Sequence, residues 1–377
     1  MEFELSEEQT LLKDSVSKYL ADNYDFKSRQ ELVETALGYG NEHWNNFAEF
    51  GWLSVPFDEA VGGFGGRIED TALICEQFGR SLVLEPFLAN IILAGGILAL
   101  GGKNDLLTQI ISGEAQCAFA GLERQSRQDL FDIKTTATDK GENYVINGEK
   151  TLVQNGSVAR HIVLTTRTAG ESRESGGITL LCLVTEEVEL ERTNVSLMDG
   201  AKVANLRFDN LEVSKATLVG EVHGGAEILS KILLEARIAV GAEMVGIMDV
   251  LRDKTVEYSR TRKQFGVAIG SFQALQHRMV EMFMAAETSR SMLYRAICEY
   301  QQDEDTAPAT IAAMKSLVGQ KARLIGEEAI QLHGGMGMTD ELDIGHYVKR
   351  LMVLNHLFGD VDATYRDFCK ASYAGGV

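Results

Sequence analysis

Apolar residues in the N-terminal part of the chain recur three and four positions apart, which is the period of an amphipathic helix. In the first such run they are Leu11, Leu12, Val16, Tyr19 and Leu20. Ser6 precedes the run and Gln9 follows Ser6 on the first turn, which predicts a helix N-cap at Ser6. The most apolar run, NIILAGGILAL from Asn90, is too short to span a bilayer and predicts a buried helix.

Near Gly113 the pattern changes to short runs rich in β-branched residues. These runs are CAFAGL, YVING, HIVLTTR, ITLLCLV and NLRFDNLEV, and turn residues such as Asp139, Gly141 and Asn143 lie between them. Short connections and alternating side chains favour antiparallel pairing. This region therefore predicts a small antiparallel sheet.

The helical period returns after about Gly225. A long helix is predicted to run through Arg260, and a second is predicted to begin near Ser271 and to end near the sequence DEDTAP. A third is expected from Ala309 to about His333, and a fourth after Gly337. The order of these regions predicts an α+β fold that is mostly α.

Three domains follow from these changes of period. We expect an N-terminal helical domain over 1–115, a central antiparallel β domain over 116–222, and a C-terminal helical bundle over 223–377. The last helical region carries an apolar stripe, which either fills the bundle of its own subunit or is buried in an oligomer. Its residues are Leu351, Val353, Leu354 and Leu357.

Charge restricts the classes of partner. The chain has 377 residues, is 45% hydrophobic and carries a formal net charge of -19. Long-range repulsion of polyanions makes a nucleic-acid-binding or anionic-membrane-binding protein an unfavourable interpretation. Any anionic ligand must therefore be bound by a local cluster of donors.

Cysteine and histidine spacing gives a second restriction. The five cysteines are scattered without a CxxC pair, which is typical of a reduced cytoplasmic protein. The histidines show no HExxH or similar spacing, so no metal site is predicted. The acidic start MEFELSEEQTLLKD has no export-signal pattern, and we expect a cytoplasmic location.

Two motifs suggest binding of an anion. In SRTRKQFG, Arg260, Arg262 and Lys263 come just before a Phe-Gly pair at the end of the long helix. A guanidinium can give a pyrophosphate paired, charge-assisted hydrogen bonds. In QLHGGMG the glycines allow a ligand to approach the backbone, although a helix C-cap followed by a turn explains them equally well.

Four stretches together resemble the acyl-CoA dehydrogenase family over essentially the whole chain. They are GWLSVPFDEAVGGFGG, YVINGEKTLVQNG, YSRTRKQFGVAIGSFQALQ and QLHGGMGMTDELDIGHYVKR. The resemblance implies an N-terminal helical domain, a central β-barrel-like domain and a C-terminal four-helix bundle. It also implies FAD as cofactor and a tetramer in which each flavin touches two subunits.

The resemblance assigns cofactor contacts residue by residue. Arg262 matches the arginine that holds the FAD pyrophosphate of the neighbouring subunit, and Phe265 matches the phenylalanine that packs beside it. The other matching positions are Gln273, Gln331, Gly334 and Gly335. Gln331 would reach the adenosine part of the cofactor.

The carboxylate base of the family is missing at both of its usual positions. This chemistry needs a base to remove the α-proton of the acyl-CoA. Phe358 stands at one position and Ala236, just before Arg237, at the other. Two nearby carboxylates are weak candidates, Glu243 and Asp360, each with a structural alternative as a buried ion-paired group or a helix cap.

The contacts that a family member makes to its own flavin ring are also reduced. Only Glu123 is retained in the first of the two relevant segments, and Leu152 and Gln154 replace the usual Trp and Thr in the second. The contacts to the neighbour's flavin are intact. We therefore expect a partner subunit resembling the small subunits of bacterial heteromeric acyl-CoA dehydrogenases, such as pimeloyl-CoA dehydrogenase.

In this interpretation, the second subunit supplies the Glu base, and an electron-transfer flavoprotein accepts the electrons. One alternative is a self-sufficient homotetrameric flavoenzyme that uses Glu243 or Asp360. Another is a non-catalytic assembly subunit without flavin. The residues do not identify the acyl chain of the substrate.

Overall fold

A computed structural model describes residues 5–302 and 306–373. The α-helices in these ranges are α1 (Glu7–Asn23), α2 (Phe26–Val33), α3 (Asn41–Glu49), α4 (Ile68–Ser81), α5 (Gly96–Leu100), α6 (Asn104–Ile111), α7 (Gly225–Thr261), α8 (Gln273–Gln302), α9 (Ala307–His333), α10 (Ile344–His356) and α11 (Val361–Tyr373). The strands are β1 (Cys117–Ala120), β2 (Thr136–Lys140), β3 (Asn143–Gln154), β4 (His161–Arg167), β5 (Ile178–Val184), β6 (Glu191–Ser196), β7 (Lys202–Ser214), β8 (Leu218–Val219), β9 (Lys263–Gln264) and β10 (Val267–Ala268). The predicted mostly helical α+β class is confirmed.

The chain divides into two compact units. One contains the residues up to Arg29, Ile68–Val83 and the residues from Arg237 onward, and the only strands among its described residues are those of the short β9–β10 hairpin. The other contains Gln30–Arg67 and Leu84–Ala236, and it includes the large sheet. The three domain boundaries expected from the sequence stay a prediction.

One predicted helix end is found in the structure, and one predicted helix is divided in two. Ser6 Oγ accepts a hydrogen bond from the Gln9 amide, and Gln9 Oε1 accepts one from the Ser6 amide, each at 3.1 Å. This reciprocal capping box confirms the predicted start of α1. The expectation of one helix after Gly337 is wrong. Phe358 and Gly359 take φ of 57° and 104°, and this turn separates α10 from α11.

The apolar run from Asn90 is mostly buried, as predicted, although its last residue, Leu100, is 42% exposed. It forms a wide helical turn over Phe87–Gly95 that leads directly into α5. None of the helices in the described ranges is long and apolar enough to cross a membrane.

In the helical unit, α4 and α7 touch through their backbones. A Cβ atom added at Gly79 would lie 2.1 Å from the Glu243 carbonyl oxygen, and one added at Gly246 would lie 2.1 Å from the Glu76 carbonyl oxygen. Any side chain at these two positions would force the helices apart. Arg290 of α8 adds ion pairs to Glu76 of α4 and to Asp249 of α7.

The apolar stripe of the last helices belongs mainly to the subunit's own core. Leu351 and Leu354 are only 3% and 0% exposed. Exposed apolar side chains lie instead on α8, where Val280, Phe283 and Met284 are each more than half exposed. This α8 face, and not the α10 stripe, has the character of a surface that a partner covers.

The sheet of the other unit has the order β6-β7-β3-β2-β4-β5-β8, and β1 pairs with β4. Most neighbours are antiparallel, as expected. Two pairs depart from the predicted antiparallel pairing: β1 runs parallel to β4 with Cys117 opposite His161, and β2 meets β4 in parallel at Thr136 and Arg167. The chain between β1 and β4 is long enough to return β4 beside β1 in the same direction.

A buried ion pair links the loop after β1 to strand β3. Lys150 Nζ lies 2.7 Å from Glu123 Oε1, and the two side chains are 0% and 1% exposed. The amides of Lys134 and Thr135 also donate to the Glu123 carboxylate, at 2.8 and 3.0 Å. Every charge in this pair is therefore balanced inside the unit.

The pair changes how both groups bind protons. Burial alone would raise the pKa of the Glu123 carboxyl, but the Lys150 charge and the hydrogen-bond donors outweigh it and lower this pKa to about 2. Burial lowers the pKa of Lys150 to about 8, against the attraction of Glu123. Both groups are thus charged near pH 7.

We expect Glu123→Gln to lower the free energy of unfolding at pH 7 by about 3 to 5 kcal/mol, because Lys150 is left buried without its carboxylate. The pKa of Glu123 is lowered from 4.5 to about 2, so its contribution is present above pH 4.5 and is lost as the pH falls toward 2. The variant should accordingly lose less stability on acidification. Urea unfolding followed by circular dichroism between pH 7 and pH 3 measures both effects.

Glu149→Gln is the matched control, because this half-exposed carboxylate lies 3.7 Å from the exposed Arg124 guanidinium. Its stability should change by less than about 1 kcal/mol. Equal unfolding midpoints for the Glu123 variant and the wild type would contradict the role given to the pair.

Candidate functional site

The helical unit has a surface cleft of about 420 Å³ where α7 and α9 end. One wall comes from the last turn of α7 and the residues that follow it. The other comes from the end of α9 and the turn Gly334–Met338. Among the lining residues are Tyr258, Arg262, Gln331, His333, Gly334 and Gly335.

Arg262 supplies the positive charge of this cleft. It follows the last residue of α7, and its amide donates to the Tyr258 carbonyl at 2.8 Å. Its exposed guanidinium makes no hydrogen bond or ion pair with any residue that the structure describes. By contrast, the neighbouring Arg260 lies 3.8 Å from the Glu257 carboxylate. Arg262 is therefore available to an anionic ligand.

The opposite wall is open backbone. Gly334 has φ of 60°, and a Cβ atom added at Gly334 or Gly335 would meet nothing within 4 Å. A ligand can reach the main chain here without meeting a side chain. Gln331 adds an exposed side-chain carboxamide that makes no hydrogen bond within the described residues. A guanidinium, an amide and accessible backbone together suit a phosphate or pyrophosphate.

Phe265 lies at the tip of a hairpin beside the cleft. Strands β9 and β10 pair Gln264 with Val267, and the two turn residues Phe265 and Gly266 have φ of 55° and 82°. Two positive φ angles define a turn in which phenylalanine is disfavoured. The Phe265 side chain is nevertheless 92% exposed. A strained, solvent-exposed aromatic residue suggests a contact with another molecule.

The structure brings together only part of the predicted cofactor set. Arg262, Gln331, Gly334 and Gly335 line one cleft. Phe265 and Gln273 do not line it; Gln273 is the exposed first residue of α8.

Tyr258 and His333 are among the cleft residues that the sequence reasoning missed. The rings of Tyr258 and His333 stack with centroids 4.4 Å apart and an interplanar angle of 29°. His333 Nδ1 lies 2.8 Å from the Ala329 carbonyl oxygen, so we assign its proton to Nδ1. Burial lowers the pKa of His333, which favours the neutral ring. The sequence did carry one signal for Tyr258: it lies four residues before Arg262 at the end of the long helix, and residues at this spacing lie on the same helix face.

Both candidate bases have structural partners. Glu243 is 8% exposed, and its carboxylate accepts a hydrogen bond from Arg350 Nε at 2.7 Å. Asp360 Oδ1 accepts the Ala363 amide at 2.8 Å and so caps α11. Both arrangements match the structural alternatives considered for these residues.

Residues at the two usual base positions are apolar. Ala236 is fully buried, and Phe358 belongs to the turn before α11. Arg237 Nε donates to the Phe358 carbonyl at 2.9 Å, while its Nη2 lies 2.6 Å from Asp367 Oδ2. Arg237 therefore stabilises the turn.

A buried lysine holds the same turn from α9. Lys315 is 0% exposed, and its Nζ donates to the carbonyls of Asn355 and Gly359 at 3.0 and 3.2 Å. Burial, followed by the nearby Arg237 charge, lowers the pKa of Lys315 to about 7. Lys315 and Arg237 together satisfy one carbonyl group in the last turn of α10 and two in the turn between α10 and α11.

In the sheet unit, the residues at the positions of the family's flavin-ring contacts make hydrogen bonds and ion pairs within the unit itself. The Glu123 carboxylate is occupied by Lys150 and by backbone amides. Leu152 has φ of 53°, is half exposed, and its amide donates to Asn205 Oδ1 at 3.0 Å. Gln154 pairs with Val203 in the sheet.

The sequence of this chain is similar to those of acyl-CoA dehydrogenases. It matches the N-terminal, middle and C-terminal domain models of acyl-CoA dehydrogenase over residues 6–114, 118–211 and 223–367. It is 28% identical to the probable acyl-CoA dehydrogenase YngJ of Bacillus subtilis (strain 168), over 93% of each protein. It is 27% identical to the caffeyl-CoA reductase-Etf complex subunit CarC of Acetobacterium woodii, over 83% of this chain and 84% of that one.

Solved structures show the same fold. The FAD complex of PigA superposes with a TM-score of 0.92 at 24% identity and covers 100% of both chains. Since the three domain models together span nearly the whole sequence, the chain belongs to the acyl-CoA dehydrogenase family, a family of oxidoreductases that act on acyl-CoA thioesters.

Proposed function

We propose that this chain is one subunit of a heteromeric, FAD-dependent acyl-CoA dehydrogenase and that it completes flavin sites across a subunit interface. The reaction would be the α,β-dehydrogenation of an acyl-CoA thioester, with the electrons passing to an electron-transfer flavoprotein. The observation that carries the proposal is the unpaired Arg262 guanidinium facing the open backbone of Gly334 and Gly335 in one cleft.

The cleft is suited to the diphosphate of FAD. Arg262 can give two parallel hydrogen bonds to phosphate oxygens, and Gln331 can donate from its amide. With a formal net charge of -19, the chain repels anions at long range. Binding of an anion therefore depends on such local donors. FAD, when bound, would supply the two-electron acceptor for the dehydrogenation.

The surroundings of the cleft support a site completed by a second chain. Phe265 is 92% exposed beside the cleft, and a covering subunit would remove it from water. The exposed apolar face of α8 begins a few turns farther along the chain. CarC is named as a subunit of a complex with Etf, which supports an electron-transfer flavoprotein as the electron acceptor.

The proton-removing group would come from the other subunit. Glu243 is bound to Arg350, and Asp360 caps α11. Neither of the two usual positions carries a carboxylate, since they hold Ala236 and Phe358. The residues of this chain would thus hold the cofactor, while its partner would supply the base.

Arg262→Gln tests the cofactor site. We expect it to weaken FAD binding about ten- to a hundredfold, because a charge-assisted hydrogen bond to phosphate contributes about 1.5 to 3 kcal/mol. The measurement is the dissociation constant of FAD, from fluorescence quenching, for the chain co-expressed with a candidate partner chain of the acyl-CoA dehydrogenase family.

Arg260→Gln is the control, since it removes the same charge from a side chain already near Glu257 and outside the cleft. It should bind FAD as the wild type does. Equal affinities for the Arg262 and Arg260 variants would refute the assignment of the cleft.

Glu243→Gln and Asp360→Asn test where the base lies. Both complexes should keep kcat per bound flavin within about twofold of the wild type, because neither carboxylate removes the substrate proton in this proposal. Asn caps helices as well as Asp does, so Asp360→Asn should also keep its stability. Glu243→Gln should unfold more easily, since Arg350 loses its buried partner.

A hundredfold loss of kcat in either flavin-loaded variant would identify that residue as the base. That result would favour a self-sufficient enzyme over the heteromer.

A further inference from the structure

The two walls of the cleft come from distant parts of the sequence. Arg262 follows the end of α7, and Gly334 follows the end of α9. A diphosphate can use both walls only if the ends of these helices keep a fixed separation. Contacts between the two helix ends therefore decide whether the cleft binds its ligand.

Tyr258 and His333 make such a contact at the base of the cleft. Their rings stack with centroids 4.4 Å apart, and both residues line the cleft. The Tyr258 hydroxyl also lies 3.4 Å from the His333 carbonyl oxygen, which makes a long hydrogen bond. The stack joins the last turns of α7 and α9.

The backbone of each stacked residue is also connected directly to a ligand-facing residue. The Tyr258 carbonyl accepts the Arg262 amide at 2.8 Å, and Gly334 directly follows His333. The orientation of the His333 ring is set by its 2.8 Å hydrogen bond to the Ala329 carbonyl. The ring stack holds these two backbone segments together, so its loss would let one wall of the cleft move relative to the other.

Another link between α7 and the later helices lies farther from Arg262. Lys254 Nζ is 2.8 Å from Asp343 Oδ2, at the start of α10, and neither residue lines the cleft. This half-exposed ion pair can keep the helices together when the stack is lost. Loss of the stack should therefore alter the cleft without unfolding the unit.

We propose that Tyr258 and His333 are positioning residues for the cofactor diphosphate: their stacked rings hold Arg262 at the correct distance from the backbone of Gly334 and Gly335. This inference rests on the proposed role of the cleft as an FAD site. It concerns geometry, since the rings would act through Arg262 and the glycine turn.

The test uses the flavin-binding assembly that this chain forms, stripped of flavin and titrated with FAD. Tyr258→Leu should weaken FAD binding by about three- to tenfold, the size expected for one aromatic pair. Tyr258→Phe keeps the ring and loses only the long hydrogen bond, so it should restore wild-type affinity within about twofold. Tyr365→Leu removes an exposed tyrosine of α11 outside the cleft and should have no effect.

A double-variant comparison separates positioning from direct contact. If Tyr258 acts through Arg262, Tyr258→Leu should have little further effect once Arg262→Gln is present. Additive losses would show that Tyr258 binds FAD by itself, and would overturn the positioning role. Thermal unfolding of every variant is recorded, and Tyr258→Met, which also removes the ring, replaces Tyr258→Leu if that variant does not fold.

The outcomes also separate this inference from the function on which it rests. Weak binding by the Arg262 variant with normal binding by Tyr258→Leu would overturn the positioning role alone. Normal binding by the Arg262 variant would overturn both the FAD site and the positioning role.

Discussion

The backbone contact between α4 and α7 is the constraint on which the candidate site depends. Gly79 and Gly246 let the two helices approach until main-chain atoms touch, and this contact fixes the position of α7 within the helical unit. The same helix carries Arg237, Glu243 and Tyr258, and it ends just before Arg262. A displacement of α7 would therefore disturb the cleft and the ion pair of Glu243 together.

The buried carboxylates of the chain differ from Arg262 in whether their charge is neutralised. Some are neutralised inside the fold, as Glu123 is by Lys150 and Glu243 by Arg350. Arg262 is exposed in a cleft without a partner among the described residues. Buried ion pairs are difficult to recruit for catalysis, because removing a proton or a partner leaves a charge uncompensated. This contrast supports a chain that binds the cofactor and relies on another subunit for the base.

Much of the fold could be predicted from the sequence, because period and capping are local signals. The long helix α7, the cap at Ser6 and five of the strands follow from them. Strands β2 and β6 were missed because their residues are mostly polar and exposed, which leaves little hydrophobic pattern to detect. The break at Phe358 was missed because a non-glycine residue at positive φ is held there by Arg237 and Lys315, which lie far away in the sequence.

The same limit applies to the candidate site. Arg262, Gln331 and the glycines were found because they lie in recognisable motifs, whereas the Tyr258–His333 stack depends on how two helices meet. The ion pair of Glu243 with Arg350 likewise joins distant parts of the chain. Such contacts are determined by tertiary packing, so a single sequence does not reveal them.

The number of flavins per chain tests the central claim most directly. The chain is purified alone and then co-expressed with candidate partner chains of the acyl-CoA dehydrogenase family, and flavin absorbance is compared with protein concentration. A shared site predicts a colourless chain alone and a yellow complex with about one FAD per pair of unlike subunits. A yellow homotetramer with one FAD per chain would contradict the account.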